Sequence, residues 1–139
     1  IIDGKKVNGK WDGSYKQYYD DPSNMLPYGK LMFEVTYSNG VKNGPFKNYS
    51  RYGFITREGT YVNGLLDGPY KSSSKYGYYT IVYKNGKIQD GPFSKYHDSS
   101  QLKLKEQGTY KNGKWDGEYK SFSKDGELKL EKIYNSWFN

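Results

Sequence analysis

Apolar and polar side chains alternate along several short stretches of this chain. A period of two residues predicts β-strands with one face more buried than the other, because successive side chains of a strand point to opposite faces. Four stretches show the pattern, and within each of them these residues are expected on one face: Leu31, Phe33, Val35 and Tyr37; Tyr79, Ile81 and Tyr83; Leu102, Leu104 and Tyr110; Leu128, Leu130 and Tyr134.

A motif of the form N-G-x-x-[D/N]-G-x-[Y/F] recurs between these stretches, and we refer to it as the Asn-Gly motif. Its five copies begin at Asn8, Asn39, Asn63, Asn85 and Asn112, and the copy from Asn85 has one extra residue. A unit repeated at intervals of 20–50 residues is typical of a repeat architecture, in which each unit buries its neighbour.

Each copy of the motif ends in an aromatic residue, which we call a first ring, and a second ring follows three residues later in four copies. The first rings are Tyr15, Phe46, Tyr70, Phe93 and Tyr119, and the second rings are Tyr18, Tyr49, Tyr96 and Phe122. Residues three apart in a strand lie on opposite faces. We therefore expect one set of rings to form the packed spine of a sheet and the other to be available for binding.

Short turn sequences follow four of these strands, and they are Tyr28-Gly29, Tyr52-Gly53, Tyr76-Gly77 and Asp125-Gly126. The strand that ends at Tyr96 is followed instead by His97-Asp98-Ser99-Ser100, without glycine, so a longer or different turn is expected there. Asp-Gly between two strands predicts a type I′ hairpin turn. Residues 20–27 are predicted to be a loop insertion in the first hairpin. Glycines at the sixth position of the motif, such as Gly68 and Gly117, are expected to adopt positive φ or to allow close packing.

These elements predict an all-β fold in which short turns join antiparallel strands. The expected architecture is an elongated, open antiparallel meander of stacked β-hairpin repeats, in a single twisted layer. We expect one repeat domain over residues 1–139, with a C-terminal cap near 133–139 formed by Trp137 and Phe138.

The composition favours a thin core that relies on tyrosine. Leu, Ile, Val and Phe make up only 25 of 139 residues, whereas Tyr alone contributes 17. The net charge of +7 comes almost entirely from 20 lysines against two arginines. Dispersed lysines protect exposed strand edges, and they also attract an acidic partner, so both roles remain open.

Few residues here are suited to catalysis or metal binding. The chain has no cysteine and one histidine, His97, and it contains no HExxH or GxSxG motif. We therefore expect no catalytic site, no metal site and no cofactor. No signal peptide and no apolar run of ~20 residues is visible, so both the cytoplasm and the cell envelope remain open as locations.

Two segments resemble the MORN repeat, whose unit reads roughly G-x-[W/Y]-x-N-G-K-x-x-G-x-G. They are residues 108–117 and residues 59–64, and the repeat as a whole covers essentially the entire chain. An aromatic residue stands where MORN has its last glycine, which looks like the bacterial MORN variant of antitoxin type. The resemblance implies an elongated antiparallel sheet that binds proteins or, in some members, lipids.

We therefore expect this chain to be a non-catalytic module that binds another protein. Its expected role is that of a scaffold or of an antitoxin-like or immunity-like protein, and the partner is expected to have an acidic surface. The residues expected to bind this partner are Trp11, Tyr18, Tyr49, Tyr96, Trp115 and Phe122. Trp11 and Trp115 occupy the same motif position, where they either pack on the next hairpin or serve as exposed anchors.

The alternative is a surface that binds a glycan, an anionic lipid or single-stranded nucleic acid through its Tyr, Trp and Lys side chains. Nucleic acid is the least favoured of these ligands, because Arg, the preferred fork for phosphates and bases, is scarce. The oligomeric state is left open.

Overall fold

The computed structural model describes residues 1–20 and 29–135. These residues form fourteen β-strands and no helix. The strands are β1 (Ile2–Val7), β2 (Lys10–Tyr18), β3 (Leu31–Ser38), β4 (Val41–Tyr49), β5 (Ile55–Val62), β6 (Leu65–Leu66), β7 (Gly68–Ser74), β8 (Gly77–Lys84), β9 (Lys87–Ile88), β10 (Gly91–Tyr96), β11 (Leu104–Lys111), β12 (Lys114–Trp115), β13 (Gly117–Phe122) and β14 (Leu128–Tyr134). They belong to one open antiparallel sheet whose order follows the sequence, so the predicted all-β meander is confirmed.

The chain divides into two compact units, Ile1–Gly68 and Pro69–Asn139. In the first unit the hydrogen-bonded order is β1-β2-β3-β4-β5, and β6 pairs back onto β5. In the second unit the order is β7-β8-β10-β11-β13-β14, with β9 on β8 and β12 on β11. The predicted loop insertion and the predicted cap residues Trp137 and Phe138 lie largely or wholly outside the described residues.

The Asn-Gly dipeptides form the tight hairpin turns. Asn39 and Gly40 both have positive φ, 50° and 83°, and they join the directly paired residues Ser38 and Val41. Positive φ at both central residues defines a type I′ turn, whose twist matches that of the flanking strands. The other four copies have the same pair of φ values, with Asn near 50° and Gly between 77° and 84°.

The type I′ turn predicted at Asp125-Gly126 is wrong. Ser123 and Glu127 enclose a three-residue loop in which Gly126 has positive φ, 86°, and Asp125 does not. Gly126 N donates to Ser123 O at 3.0 Å, and Ser123 N donates to Glu127 O at 2.9 Å. This pattern belongs to the longer hairpin loops that end in a left-handed glycine, where the loop length rather than the Asp-Gly pair sets the turn type.

The Asp or Asn at the fifth position of the motif holds the turn of the next copy. Asp12 Oδ1 accepts a hydrogen bond from Asn39 N at 3.1 Å, and Asp90 Oδ1 accepts one from Asn112 N at 2.8 Å. Asn43 Oδ1 serves Asn63 in the same way at 3.3 Å. In these three copies a short side-chain acceptor therefore fastens one hairpin turn to the next. The glycine that follows has positive φ, as predicted for Gly68 (97°) and Gly117 (78°).

A β-bulge near each longer turn changes which residues share a face. Gln17 pairs with Phe33 but Tyr18 pairs with Leu31, so Met32 is an extra residue in β3. Directly paired residues of an antiparallel ladder lie on the same face. Leu31 therefore shares the face of Tyr18, and its predicted position beside Phe33 is wrong.

The same shift occurs beside the other second rings, where Tyr49 pairs with Ile55, Tyr96 with Leu104, and Phe122 with Leu128. The predicted faces of Leu104 and Leu128 are wrong for the same reason. Leu102 precedes β11 and is 86% exposed, so it shares no strand face with Tyr110.

The core lies on the face of the first rings. Among the described residues its buried side chains are Val35, Phe46, Tyr70 and Phe93. Phe33 and Tyr37 flank Tyr15 in the first unit, and Tyr79 and Tyr83 flank Tyr70 in the second, so these predicted shared faces are confirmed. The first rings are therefore the spine of each unit.

Candidate binding surfaces

In the first unit the rings of the first-ring face pack mainly edge to face. Tyr15 contacts Trp11 and Tyr37 with ring centroids 4.9 Å and 5.5 Å apart. Lys42, at the motif position of Trp11, places its ammonium 5.4 Å from the Phe33 ring and 5.2 Å from that of Tyr61. These rings therefore pack against one another and against this lysine within the unit.

In the second unit Trp115 is the centre of the ring cluster. It stacks on Tyr110 with centroids 4.4 Å apart and planes 15° apart, and it meets Phe93 and Tyr119 at 5.4 Å and 4.9 Å. The indole lies directly over Gly108, where an added Cβ would stand 2.7 Å from a ring carbon. Glycine at position 108 therefore makes this close approach possible.

Trp11 repeats this arrangement at the start of the chain. Its ring lies over Gly4, where a Cβ would be 3.1 Å away, and the ammonium of Lys6 sits 4.8 Å from the ring centroid. Both tryptophans are half-buried. The structure thus brings Trp11 and Trp115 onto the first-ring face in packing contacts, and their role in binding stays a prediction.

In each unit the two predicted second rings lie on the face opposite the first rings, at the end of the strands away from the Asn-Gly turns. Tyr49 shows the separation: its hydroxyl donates to Glu34 Oε1 at 2.6 Å, whereas Tyr15 contacts the adjacent Phe33 on the other side of β3. All four rings are half-buried, and each has an aliphatic cross-strand partner. The six predicted partner-binding residues are therefore divided between two faces.

Charged side chains oppose one another across the second-ring face. In the first unit the directly paired residues run Asp3, Lys16, Glu34, Lys47 and Glu58, with the sign alternating from strand to strand. In the second unit Lys120 and Glu131 are paired at 3.2 Å. Opposite charges directly across a ladder stabilise the pairing, so these lysines are balanced locally and do not form a basic surface.

One hairpin end is unusually aromatic, although the sequence pattern predicts only a turn there. It is the β4–β5 loop, residues 50–54, where Tyr52 is 80% and Phe54 71% exposed. Of the two arginines of the chain, Arg51 lies in this loop and Arg57 lies near the start of β5. Unlike the other candidate rings, Tyr52 and Phe54 have most of their surface in solvent.

The described residues contain no group of three or more His, Cys, Asp or Glu that could hold a metal ion. His97 places Nε2 3.0 Å from Phe122 O, so an N–H at that position would tie the β10–β11 loop to the end of β13. Within the same ranges of the chain, no helix is long and apolar enough to cross a membrane.

Two tyrosine hydroxyls are expected to make the fold sensitive to alkali. Burial raises the pKa of Tyr49 to about 12, with help from its hydrogen bond to Glu34, and burial likewise raises the pKa of Tyr119 to about 12, with help from Glu106. The raised pKa means that folding favours the protonated phenol. The resulting stability is complete below the ordinary pKa of 10 and is lost as the pH rises through 12.

We therefore expect the free energy of unfolding, measured by urea denaturation, to fall between pH 10 and pH 12. A variant with Tyr49→Phe and Tyr119→Phe should lose less of its own stability over this interval, because it lacks both phenols. Equal losses in the two proteins would contradict this assignment.

The sequence matches no protein-family model, and a search of curated proteins finds no significant match.

Proposed function

We propose that this chain is a non-catalytic module that binds another protein through its second-ring face. The observation that carries the proposal is the pair of second rings in each unit, each ring next to an aliphatic residue, on the face that does not form the core of that unit. Some of these aliphatic partners are substantially exposed, since Ile55 is 41% and Leu128 52% accessible. Apolar surface grouped in this way on a soluble protein favours an interface with another macromolecule.

We also propose that the repeat belongs to the MORN-variant family. It is supported by residues 108–117, which read G-T-Y-K-N-G-K-W-D-G and resemble the MORN unit. A module of this kind would act by occupying the surface of its partner, either as a scaffold or as an antitoxin-like inhibitor.

The experiment compares partner capture by the wild-type chain and by two variants. Extract of the source organism is passed over each immobilised protein, and the bound proteins are quantified by mass spectrometry. The first variant carries Tyr49→Ala, Tyr96→Ala and Phe122→Ala. We expect it to retain its β-type circular dichroism and to lose the captured partner, because truncating a hot-spot ring costs ~2 kcal/mol or more.

The second variant tests the same surface without removing any ring, so it remains informative if the first variant unfolds. It carries Ile55→Lys and Leu128→Lys, which place charge on the second-ring face at positions that are already exposed. We expect the same loss of partner from this variant. If both variants fold and still capture the partner, the second-ring face is not the binding surface.

The alternative ligands are tested with the same three proteins. Flotation with anionic vesicles measures lipid binding, a salt series with a labelled oligonucleotide measures nucleic-acid binding, and a glycan array covers sugars. The alternating charge row on the second-ring face favours a protein over an anionic polymer, because its lysines already face carboxylates. Ligand binding in any of these assays without a captured protein would replace the proposal.

A further inference from the structure

The chain contains two copies of one hairpin loop that differ in their side chains. In the β4–β5 loop Ser50 N donates to Phe54 O at 2.8 Å, and Gly53 N donates to Ser50 O at 3.0 Å. The β13–β14 loop, residues 123–127, has the same two bonds at 2.9 Å and 3.0 Å. The glycines have matching φ values of 89° and 86°.

The two loops also share a hydrogen bond to a serine side chain. Ser50 Oγ accepts from Phe54 N at 3.2 Å, and Ser123 Oγ accepts from Glu127 N at 3.1 Å. After the serine, the first loop continues as Arg-Tyr-Gly-Phe and the second as Lys-Asp-Gly-Glu. Since a polar sequence builds the same backbone, the turn itself does not require Tyr52 or Phe54.

Packing does not account for the two rings either. Burial of apolar surface stabilises a fold in proportion to the area removed from water, and Tyr52 and Phe54 are 80% and 71% exposed. The exposed rings stand on a loop held by backbone bonds and by Ser50, which also accepts from Tyr52 N at 3.3 Å. A preformed loop loses little conformational entropy when it binds, so the two rings are well placed to contact a partner.

The charged residues of this segment have one sign. Arg51 and Arg57 flank them, and residues 51–57 contain no acidic residue. The Arg51 guanidinium lies 4.9 Å from the Tyr19 ring, which limits its motion while the residue stays exposed. Glu58, the next acidic residue along the chain, is directly opposite Lys47. Tyr and Arg are also the residue types most enriched among energetic hot spots of interfaces.

We propose that the β4–β5 loop is the anchoring site for an acidic, apolar segment of the partner protein. Tyr52 and Phe54 enter apolar surface of that segment, and Arg51 forms a paired hydrogen bond with one of its carboxylates, as guanidinium does with this geometry. The inference rests on the proposed protein-binding function, and it adds the site and the chemistry of the segment bound.

The test replaces one loop by the sequence of the other. The variant Arg51→Lys, Tyr52→Asp, Phe54→Glu carries the Lys-Asp-Gly-Glu loop that this chain already folds at 124–127. Circular dichroism and thermal melting should therefore match the wild type. The probe is a phage-displayed library of random twelve-residue peptides, selected on the wild-type chain.

We expect selection to enrich peptides with carboxylates next to Leu, Phe or Trp, and these peptides to bind the loop variant roughly thirtyfold more weakly, the loss of a typical hot spot. Enriched peptides that bind both proteins equally, or that lack carboxylates, overturn the inference. Equal binding combined with loss in the Ile55→Lys, Leu128→Lys variant would leave the proposed protein-binding function standing and would reject only the loop.

Two other outcomes also reject the loop as a protein-binding anchor. The first is an absence of any enriched peptide. The second is a loop variant that keeps peptide binding but no longer floats with vesicles containing phosphatidylserine, which would make the loop a contact for a membrane surface.

Discussion

Phe46→Ala is expected to lower the free energy of unfolding by about 3–5 kcal/mol, the usual range for truncating a buried phenylalanine. The Phe46 ring is 5% exposed, its centroid is 4.9 Å from that of Tyr61, and it lies directly opposite Val35 and Gly59. Gly59 has no side chain to move into the space left by the ring. Because the described core contains few buried side chains, neighbouring residues cannot readily fill the cavity.

The measurement is urea denaturation followed by circular dichroism. Phe54→Ala is the matched control, since it removes the same atoms from a ring that is 71% exposed. An exposed substitution of this kind changes stability by about 0.5 kcal/mol or less. Similar losses for the two variants would contradict the identification of the first-ring face as the core.

Gly108→Val should destabilise the protein by about 2–3 kcal/mol, in the upper part of the range for overpacking. A Cβ at position 108 would stand 2.7 Å and 2.9 Å from two carbons of the Trp115 ring and 3.2 Å from Glu118 O. Gly108 does not have positive φ, so the strain comes from the indole and the neighbouring carbonyl rather than from the backbone conformation of residue 108. The valine would displace Trp115 from its stack on Tyr110.

A double-mutant cycle isolates this contact. Gly108→Val is measured in the wild type and again in a Trp115→Ala background, where the ring is absent. We expect most of the cost of the valine to disappear in that background, because the two residues interact directly. Additive losses would show that Gly108 is required for a reason other than the tryptophan, and near-UV circular dichroism would report whether the indole environment changes.

The predictions that succeeded from sequence depend on local rules. The period of two in residues 33–37 predicts a strand, and Tyr15 and Tyr18 fall on opposite faces because they are three residues apart. The Asn-Gly motif predicts regular hairpins, since Asn and Gly tolerate the positive φ that a type I′ turn requires. These preferences belong to single residues and near neighbours, so they can be read without knowing the fold.

The faces of Leu31, Leu104 and Leu128 could not be predicted in this way. Each is displaced by a bulge, and the extra residues Met32, Lys105 and Lys129 share no property that marks them. A bulge is a mismatch between two strands, so its position depends on how a strand pairs with its neighbour. The structure is therefore required to show that an aliphatic residue accompanies every second ring.

Local sequence preferences and long-range contacts therefore determine different parts of this structure. The sequence alone determines the strands, their direction and the turns at Asn-Gly, because these follow from backbone preferences. Only the tertiary structure shows that Asp12 holds the turn at Asn39, 27 residues away, and that Phe46 is buried while Phe54 is exposed. Burial and long-range hydrogen bonds exist only once the strands have assembled, so identical side chains acquire different roles from the neighbours that the sheet places beside them.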